Sequence, residues 1–464
     1  MISRRLSTIA AVVVLGAATG AAQTEQLAPV PQMSTPPPLV HPQGATAPPM
    51  VVTLQDALQR AQVNDPTYQQ AVTDAAVAHA DAAVARAALL PEVSNTTQYL
   101  GNQANGVNPN GRFVSMDGVN MYREWGQAHQ EFSPDTLTHS ALTSARATEA
   151  VARARMEIAQ RGLVVTATRT YYALVIAQRK YAAAQDAAQQ ALRFLQITQQ
   201  AQQLGQVARA DVIKAEIQYR QEEQAFREAT LAMDNARLGL AVIVFPDLNE
   251  NFTVVDDLTG VPTLPPFMDV QVLAGKENPD LRAATEALRA ASADIRTAQY
   301  AFYPRLVVDA VYGIEANQFA LHGRIAAQPE MGILPNLGYF VTASLNVPIW
   351  DWGSRRAKLI QADVKRKQAQ VTLSFTQRQL ASNLYVKYNE AIAARGAATD
   401  LQQVADLAAE SLRLTVLRYQ AGESTAQEVV DAQNTLVQAR GAAVDAQSRY
   451  RVALADLQTM TGPF

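Results

Sequence analysis

The 464-residue sequence predicts a mainly α fold with a small β part, built from a duplicated helix–strand–strand–helix–helix unit. Three observations lead there. First, landmarks recur at a nearly constant offset. Pro66 in "NDPTYQQAV" and Pro279 in "ENPDLRAAT" lie 213 positions apart, as do Pro91 in "LLPEV" and Pro304 in "FYPRL". Pro134 and Pro348 lie 214 apart, and Gly205 and Gly422 lie 217 apart. Four landmarks in one order with so small a drift mark a tandem duplication, with halves at 51–262 and 263–464. Second, long Ala-rich, charge-studded stretches at 136–203 and 353–420 read as uninterrupted helix. About 68 residues at 1.5 Å each make helices of roughly 100 Å. Third, the pattern switches to two-residue alternation just after Pro91 and Pro304, which cannot continue a helix.

Each unit begins with a helix that starts before the Asn-Asp-Pro or Asn-Pro step and ends at the next proline. Strands follow at about 92–100 and 125–132 in the first unit, and at about 305–314 and 339–347 in the second. The last alternates cleanly: Tyr339, Val341, Ala343, Leu345 and Val347 face one way, and Phe340, Thr342, Ser344 and Asn346 the other. Apolar and polar faces alternating over about ten residues form the transmembrane strand pattern. The loops at 101–124 and 315–338 bear Gly and Asn and read as long and exposed. Near the C-terminus Val429, Leu436, Ala443, Tyr450 and Leu457 recur every seven residues, with Ala432, Ala439, Ala446 and Ala453 set three later. That is a heptad seam whose alanines permit close helix approach. A second series, Val430, Val437 and Val444, widens the face and suits a helix with neighbours on both sides.

The N-terminus has the layout of a secretory signal peptide over 1–22: Arg4 and Arg5, an apolar run from Ile9 to Leu15, then small residues ending at Ala21 and Ala22. Residues 23–50 are Pro-rich and read as an extended strap or linker. The formal net charge of −3 implies no polyanion partner such as nucleic acid. The sequence has no cysteine, which excludes disulfides, thiolate metal sites, cysteine nucleophiles and a lipid anchor on a cysteine. No stretch offers the ~20 apolar residues of a membrane helix, so a membrane role requires a closed β-barrel. Four strands leave two open edges in lipid. Three chains supply twelve strands and close the barrel, which continues into a tube of helices.

The duplicated layout, the evenly spaced prolines, "SLNVPIWDWGSRRAKL" and "RYQAGESTAQEVVDAQNTL" together resemble the TolC-like outer-membrane efflux family, over nearly everything after residue 51. The resemblance implies a homotrimer whose β-barrel sits in outer-membrane lipid and whose α-barrel crosses the periplasm. It implies passive export of drugs, toxic compounds or secreted molecules, driven by an inner-membrane pump of the RND or ABC type through a periplasmic adaptor. Gly205 and Gly422 would end the long helices at the periplasmic tip, where glycine suits a left-handed helix cap. There Leu204, Gly205, Ala421 and Gly422 are expected adaptor contacts. The resemblance also implies a clasp between Tyr419 and Asp211 that holds the tip shut. Where the family's clasp has an arginine two residues after the second glycine, this chain has Ser424; Arg209 or Arg418 could rebuild it. Glu428 and Asp431 would form acidic rings around the mouth, favouring cations, although acids in a first helical turn also serve as caps.

Enzymatic readings are poor. The five histidines (His41, His79, His129, His139 and His322) lack metal-ligand spacing. "GESTA" at 422–426 lacks the second glycine and the strand context of a nucleophile elbow. No P-loop is present, no cofactor or metal is expected, and energy must come from a partner. Trp350 and Trp352 suit an aromatic girdle at a membrane interface. The competing class, a pore-less periplasmic spacer or fibre, would need neither the alternating strands nor the duplicated layout.

Overall fold

The computed structural model describes residues 49–101, 120–205, 207–248, 250–258, 260, 262–316, 319–321 and 336–462. The expected signal peptide, most of the Pro-rich segment and most of the two strand-linking loops lie outside the described residues.

Each half opens with two helices where the sequence suggested one. Helix α1 (Leu54–Asn64) is separated from α2 (Pro66–Ala87) by Asp65, and α6 (Phe267–Glu277) from α7 (Pro279–Tyr300) by Asn278. Proline lacks an N–H and disfavours helical geometry in the residue before it. Asp65 and Asn278 accordingly take extended ψ values of 118° and 120°. Their side chains then cap the restarted helices, accepting from Tyr68 N at 2.7 Å and Leu281 N at 2.9 Å. The proline steps are therefore restarts within a helical arm.

Strands β2 (Glu92–Gly101) and β3 (Asn120–Phe132) follow α2, and β5 (Arg305–Ala316) and β6 (Leu337–Asn346) follow α7. β3 begins at Asn120, ahead of the expected 125. The four strands form one antiparallel sheet in the order β2-β3-β5-β6, so the halves are joined through β3 and β5. β2 and β6 are its open edges.

The expected continuous helix from 136 is also broken. A short α3 (Pro134–Thr138), capped by Ser133, ends at His139 in the left-handed conformation (φ 55°), and α4 (Ser140–Gln203) starts there. The second half turns the same corner through Trp352 (φ 57°) and Gly353 (φ 85°) before α8 (Ser354–Gln420). A strand running into a long helix must change direction sharply, and a left-handed residue supplies the bend. Helices α5 (Arg209–Val244) and α9 (Ala426–Thr461) return beside α4 and α8, giving two antiparallel hairpins.

The heptad seam of α9 is buried: Val429, Leu436, Ala443, Tyr450 and Leu457 are each 5 % exposed or less. Below mid-height, Phe194, Leu195, Ala215, Leu412 and Val429 form the core shared by both hairpins. A second core lies at the waist, where sequence patterning showed nothing. There β1 (Met50–Val52) pairs in parallel with β4 (Phe252–Val254), so Met50 is part of a strand and not of the Pro-rich segment. The short sheet packs on Tyr171, Tyr172 and Leu240. Tyr171 Oη donates to Val255 O at 2.7 Å, and burial raises its phenol to about 12, so it remains a donor. Arg179 grips the Asp256 carboxylate through two bonds of 2.5 and 2.7 Å. Arg451 and Tyr450 bind the carbonyls of Gly260 and Pro262, strapping the connecting segment to α9.

Candidate channel: a two-faced sheet above a helical tip

The register sorts the sheet's side chains into two faces. One carries Ser94, Thr96 and Gln98 of β2; Arg123, Trp125, Gln127, His129 and Glu131 of β3; Arg305 and Asp309 of β5; and Phe340, Thr342, Ser344 and Asn346 of β6. These groups satisfy one another across strands. His129 Nδ1 lies 2.6 Å from Asp309 Oδ1, Arg123 Nε donates to Glu315 Oε1 at 2.9 Å, and Arg123 Nη1 donates to Gln98 Oε1 at 3.1 Å. The Arg123 guanidinium also stacks 5.0 Å from the Trp125 ring, whose edge meets Phe340 at 5.9 Å.

The other face carries Val93, Tyr99, Leu306, Val308, Tyr312, Tyr339, Val341 and Leu345. Its large apolar groups stand in the open: Tyr339 is 80 % exposed and Leu345 66 %. Glu124 interrupts this face, held by Asn95 Nδ2 at 2.7 Å and by the Thr97 hydroxyl. Below the sheet Trp350 and Trp352 are exposed and meet edge to face at 5.8 Å. β2 and β3 gave weak sequence signals because both of their faces carry polar residues: Asn95 and Thr97 of β2 and Glu124 and Gln130 of β3 stand on the otherwise apolar face. Among the described residues no helix is long and apolar enough to cross a membrane, which says nothing about a β-barrel.

At the opposite end of the long helices, Gly205 and Gly422 have φ values of 73° and 79°. After α8 the turn is a Schellman cap: Gly422 N donates to Tyr419 O at 3.0 Å and Glu423 N to Arg418 O at 2.9 Å. Leu204, Gly205, Ala421 and Gly422 are all exposed. α9 then opens with a capping box, in which Glu428 N donates to Thr425 Oγ1 and Thr425 N to Glu428 Oε1. The Glu428 carboxyl is held below the usual glutamate range, first by the Thr425 backbone N–H, then by the Thr425 and Ser424 hydroxyls and by the charge of Arg418. Glu428 and Asp431 lie one turn apart and are both exposed. Asp431 accepts from Gln427 Nε2 at 2.9 Å.

Within the chain, Tyr419 and Asp211 are not hydrogen-bonded to each other. Tyr419 Oη is buried without a partner, and its ring packs 5.2 Å from Phe194. The Asp211 carboxylate lies 3.9 Å from Lys214 Nζ. Arg418 serves its own turn, donating to Glu423 O at 3.2 Å and standing 3.9 Å from Glu428. Ser424 donates to Glu428 Oε2 at 3.2 Å, a capping role. Among the described residues no group of three His, Cys, Asp or Glu could hold a metal. His79 pairs with Glu149 at 2.8 Å, and His41 and His322 fall outside the described residues.

A sheet with one polar and one apolar face, set on helices of about 100 Å that end in tight glycine turns, is the build of an outer-membrane duct protomer. The family profile described as "Outer membrane efflux protein" matches residues 57–244 and 271–463, so the chain belongs to the outer membrane efflux protein family, whose place is the outer membrane. It is similar to the cation efflux system protein CusC of Escherichia coli strain K12, 27% identical over 243 residues, or 51% of this chain and 50% of that one. The chain thus spans about half the length of the curated relatives it matches. Among solved structures, a membrane protein from Pseudomonas aeruginosa superposes with a TM-score of 0.75 at 19% identity, covering 88% of this chain and 90% of that one. The Neisseria gonorrhoeae MtrE outer membrane channel in its open state gives 0.71 at 22% identity, covering 88% of each.

Proposed function

We propose that the protein is the outer-membrane channel of a tripartite export system and works as a homotrimer. Three four-stranded sheets join β6 to β2 into a twelve-stranded barrel, with the His129/Asp309 face inward and the Tyr339/Leu345 face toward lipid. The two open sheet edges carry this reading, because an unpaired strand edge is not tolerated in hydrocarbon. An exposed apolar seam on α8 supports it: Val364, Val371, Tyr385 and Ile392, at heptad-related positions, have no cover in one protomer. Helices of 11, 22 and 36 residues occur once in each half, which supports descent from one duplicated unit.

Substrates pass without chemistry at the channel. They arrive from an inner-membrane pump of the RND or ABC type through a periplasmic adaptor that docks on Leu204, Gly205, Ala421 and Gly422. The trimer axis gathers Glu428 and Asp431 into rings of carboxylates that favour cations, which agrees with the cation efflux named for CusC. The unpaired Tyr419 hydroxyl and the Asp211 carboxylate supply the closing contact when the tip tightens. The test is light scattering on protein extracted from outer membranes in mild detergent, followed by single-channel recording. A three-chain mass is expected, with higher conductance for Tyr419→Phe and Asp211→Ala. A monomer overturns the barrel; unchanged conductance in both variants removes the clasp.

A further inference from the structure

The repeat leaves one helix contact with a counterpart that a single chain cannot make. Above the waist the helices lie side by side in the order α2, α4, α7, α8, each packed on the next. α7 repeats α2 at an offset of 213 (Pro66 to Pro279), and the upper part of α8 repeats α4 at an offset of 214 (Ser140 to Ser354). The packing of α2 on α4 therefore recurs as α7 on α8. The packing of α4 on α7 does not recur. Its counterpart would bring α8 against α2, and these two helices are the outer flanks of the row.

The contact that the chain does make is specific. Ser144 Oγ donates to Asp294 Oδ1 at 2.5 Å, Thr297 Oγ1 donates to Asp135 Oδ1 at 2.9 Å, and Arg282 pairs with Glu157. On the stripe of α4 that starts at Ser144, at three- and four-residue steps, Ala147 and Ala154 are buried, as is Ala293 of α7. Transferred through the two offsets, Ser144 and Asp294 become Lys358 and Asp81, a cation opposite an anion. Asp135 and Thr297 become Ile349 and Val84, two apolar side chains, 89 % and 68 % exposed in the single chain. Lys358 and Asp81 are also exposed, and among the described residues neither has an ion-pair partner in its own chain. Gln361, Gln368 and Ala80, the counterparts of the three buried alanines, are exposed as well. Arg282 and Glu157 become Gln69 and Val371, which make no polar bond; Gln69 Nε2 donates instead to Gln62 O at 2.7 Å.

We propose that the α8 flank docks on the α2 flank of a second copy of this chain in the register of the α4–α7 contact, with Lys358 paired to the partner's Asp81 and Ile349 packed against the partner's Val84. The proposal rests on the trimer reading and gives that assembly its contact surface, register and recognition groups. Covering Ile349 and Val84 removes apolar surface that one chain leaves in water. The ion pair contributes orientation more than strength, since exposed pairs stabilise weakly. The apolar pair also keeps the two contacts from exchanging partners. Ile349 against Thr297, or Asp135 against Val84, would leave a polar group facing a side chain that cannot bond it. The two flanks are different surfaces, so the contact either closes into a ring or runs on as a filament.

The chain has no cysteine, so introduced thiols report the contact without background. Asp81→Cys with Lys358→Cys, treated in outer membranes with a short bifunctional thiol reagent, should give two- and three-chain bands on denaturing gels and nothing larger. Each single variant should stay a monomer, because neither residue meets its own copy across such a contact. Asp81→Cys with Val371→Cys should not link, since Val371 lies 13 residues, about 20 Å, further along α8. Asp81→Lys should speed dissociation of the trimer in urea several-fold, and adding Lys358→Asp should restore most of the loss. Absence of bands from the first pair while light scattering still gives a three-chain mass, or linking through Val371, overturns this seam and leaves the trimer standing. A charge reversal that the second substitution does not relieve removes the ion pair. A ladder running past three chains keeps the seam and overturns the trimer.

Discussion

A Cβ built on Gly313 falls 2.0 Å from the Glu124 carbonyl oxygen and 2.9 Å from Trp125 Cα, because β3 and β5 approach most closely where Trp125 and Gly313 are paired. The Trp125 ring reaches across β5 to Phe340. Gly313→Ala must push the two central strands apart, and no flexible side chain can give way because the obstacle is backbone. Loss of most of the assembled trimer on unheated gels is expected; assembly at the wild-type level would mean that the register is wrong. Nothing in "DAVYGIEA" marks this glycine, since the reason lies 189 positions earlier in the chain.

At the scale of single elements, the tip turns follow from local rules. Gly422 has a left-handed backbone with nothing within 4 Å of a built Cβ, so an alanine there suffers from conformation alone. Gly422→Ala should cost about 1–2 kcal/mol and Thr425→Ala about 1 kcal/mol. Both should appear as faster hydrogen exchange in the first turn of α9, with no change at the waist. Acid should act on the same turn. The Glu428 carboxyl sits below its ordinary 4.5, so its cap is fully present above that value and is lost as pH falls through the lowered one. In Glu428→Gln the acid dependence should vanish. The helix restarts at Asp65 and Asn278 were half legible: the prolines announced a break, but whether the arm would end or resume depended on the cap formed next to them.

For the whole molecule, the proposed threefold assembly has an electrostatic consequence. Glu428 and Asp431 are exposed in one protomer and cap or brace their own helix, and in the proposed trimer they would place six carboxylates at one mouth. Glu428→Gln with Asp431→Asn should reduce cation preference several-fold, read as a shifted reversal potential in a salt gradient, and should weaken block by divalent ions. An unaltered reversal potential would put the selectivity elsewhere, with the His129/Asp309 face of the sheet as the next charged station. The proposed assembly would account for the apolar surface open on β6 and α8, with lipid and neighbouring copies covering it.

The sequence by itself determined the kinds of element and their order. Proline breaks, the two-residue alternation of β6, the heptads of α9 and the glycine turns at 205 and 422 are decided by a few adjacent residues, through a missing N–H, a pleat, a repeat or a left-handed backbone. Only the tertiary structure decided which faces meet. The β3–β5 pairing that sorts His129 with Asp309 and the parallel pairing of Met50–Val52 with Phe252–Val254 join segments about 180 to 200 residues apart. Such contacts depend on how long helices and strands pack as bodies, a balance of surface buried and polar groups satisfied that no local stretch of sequence carries.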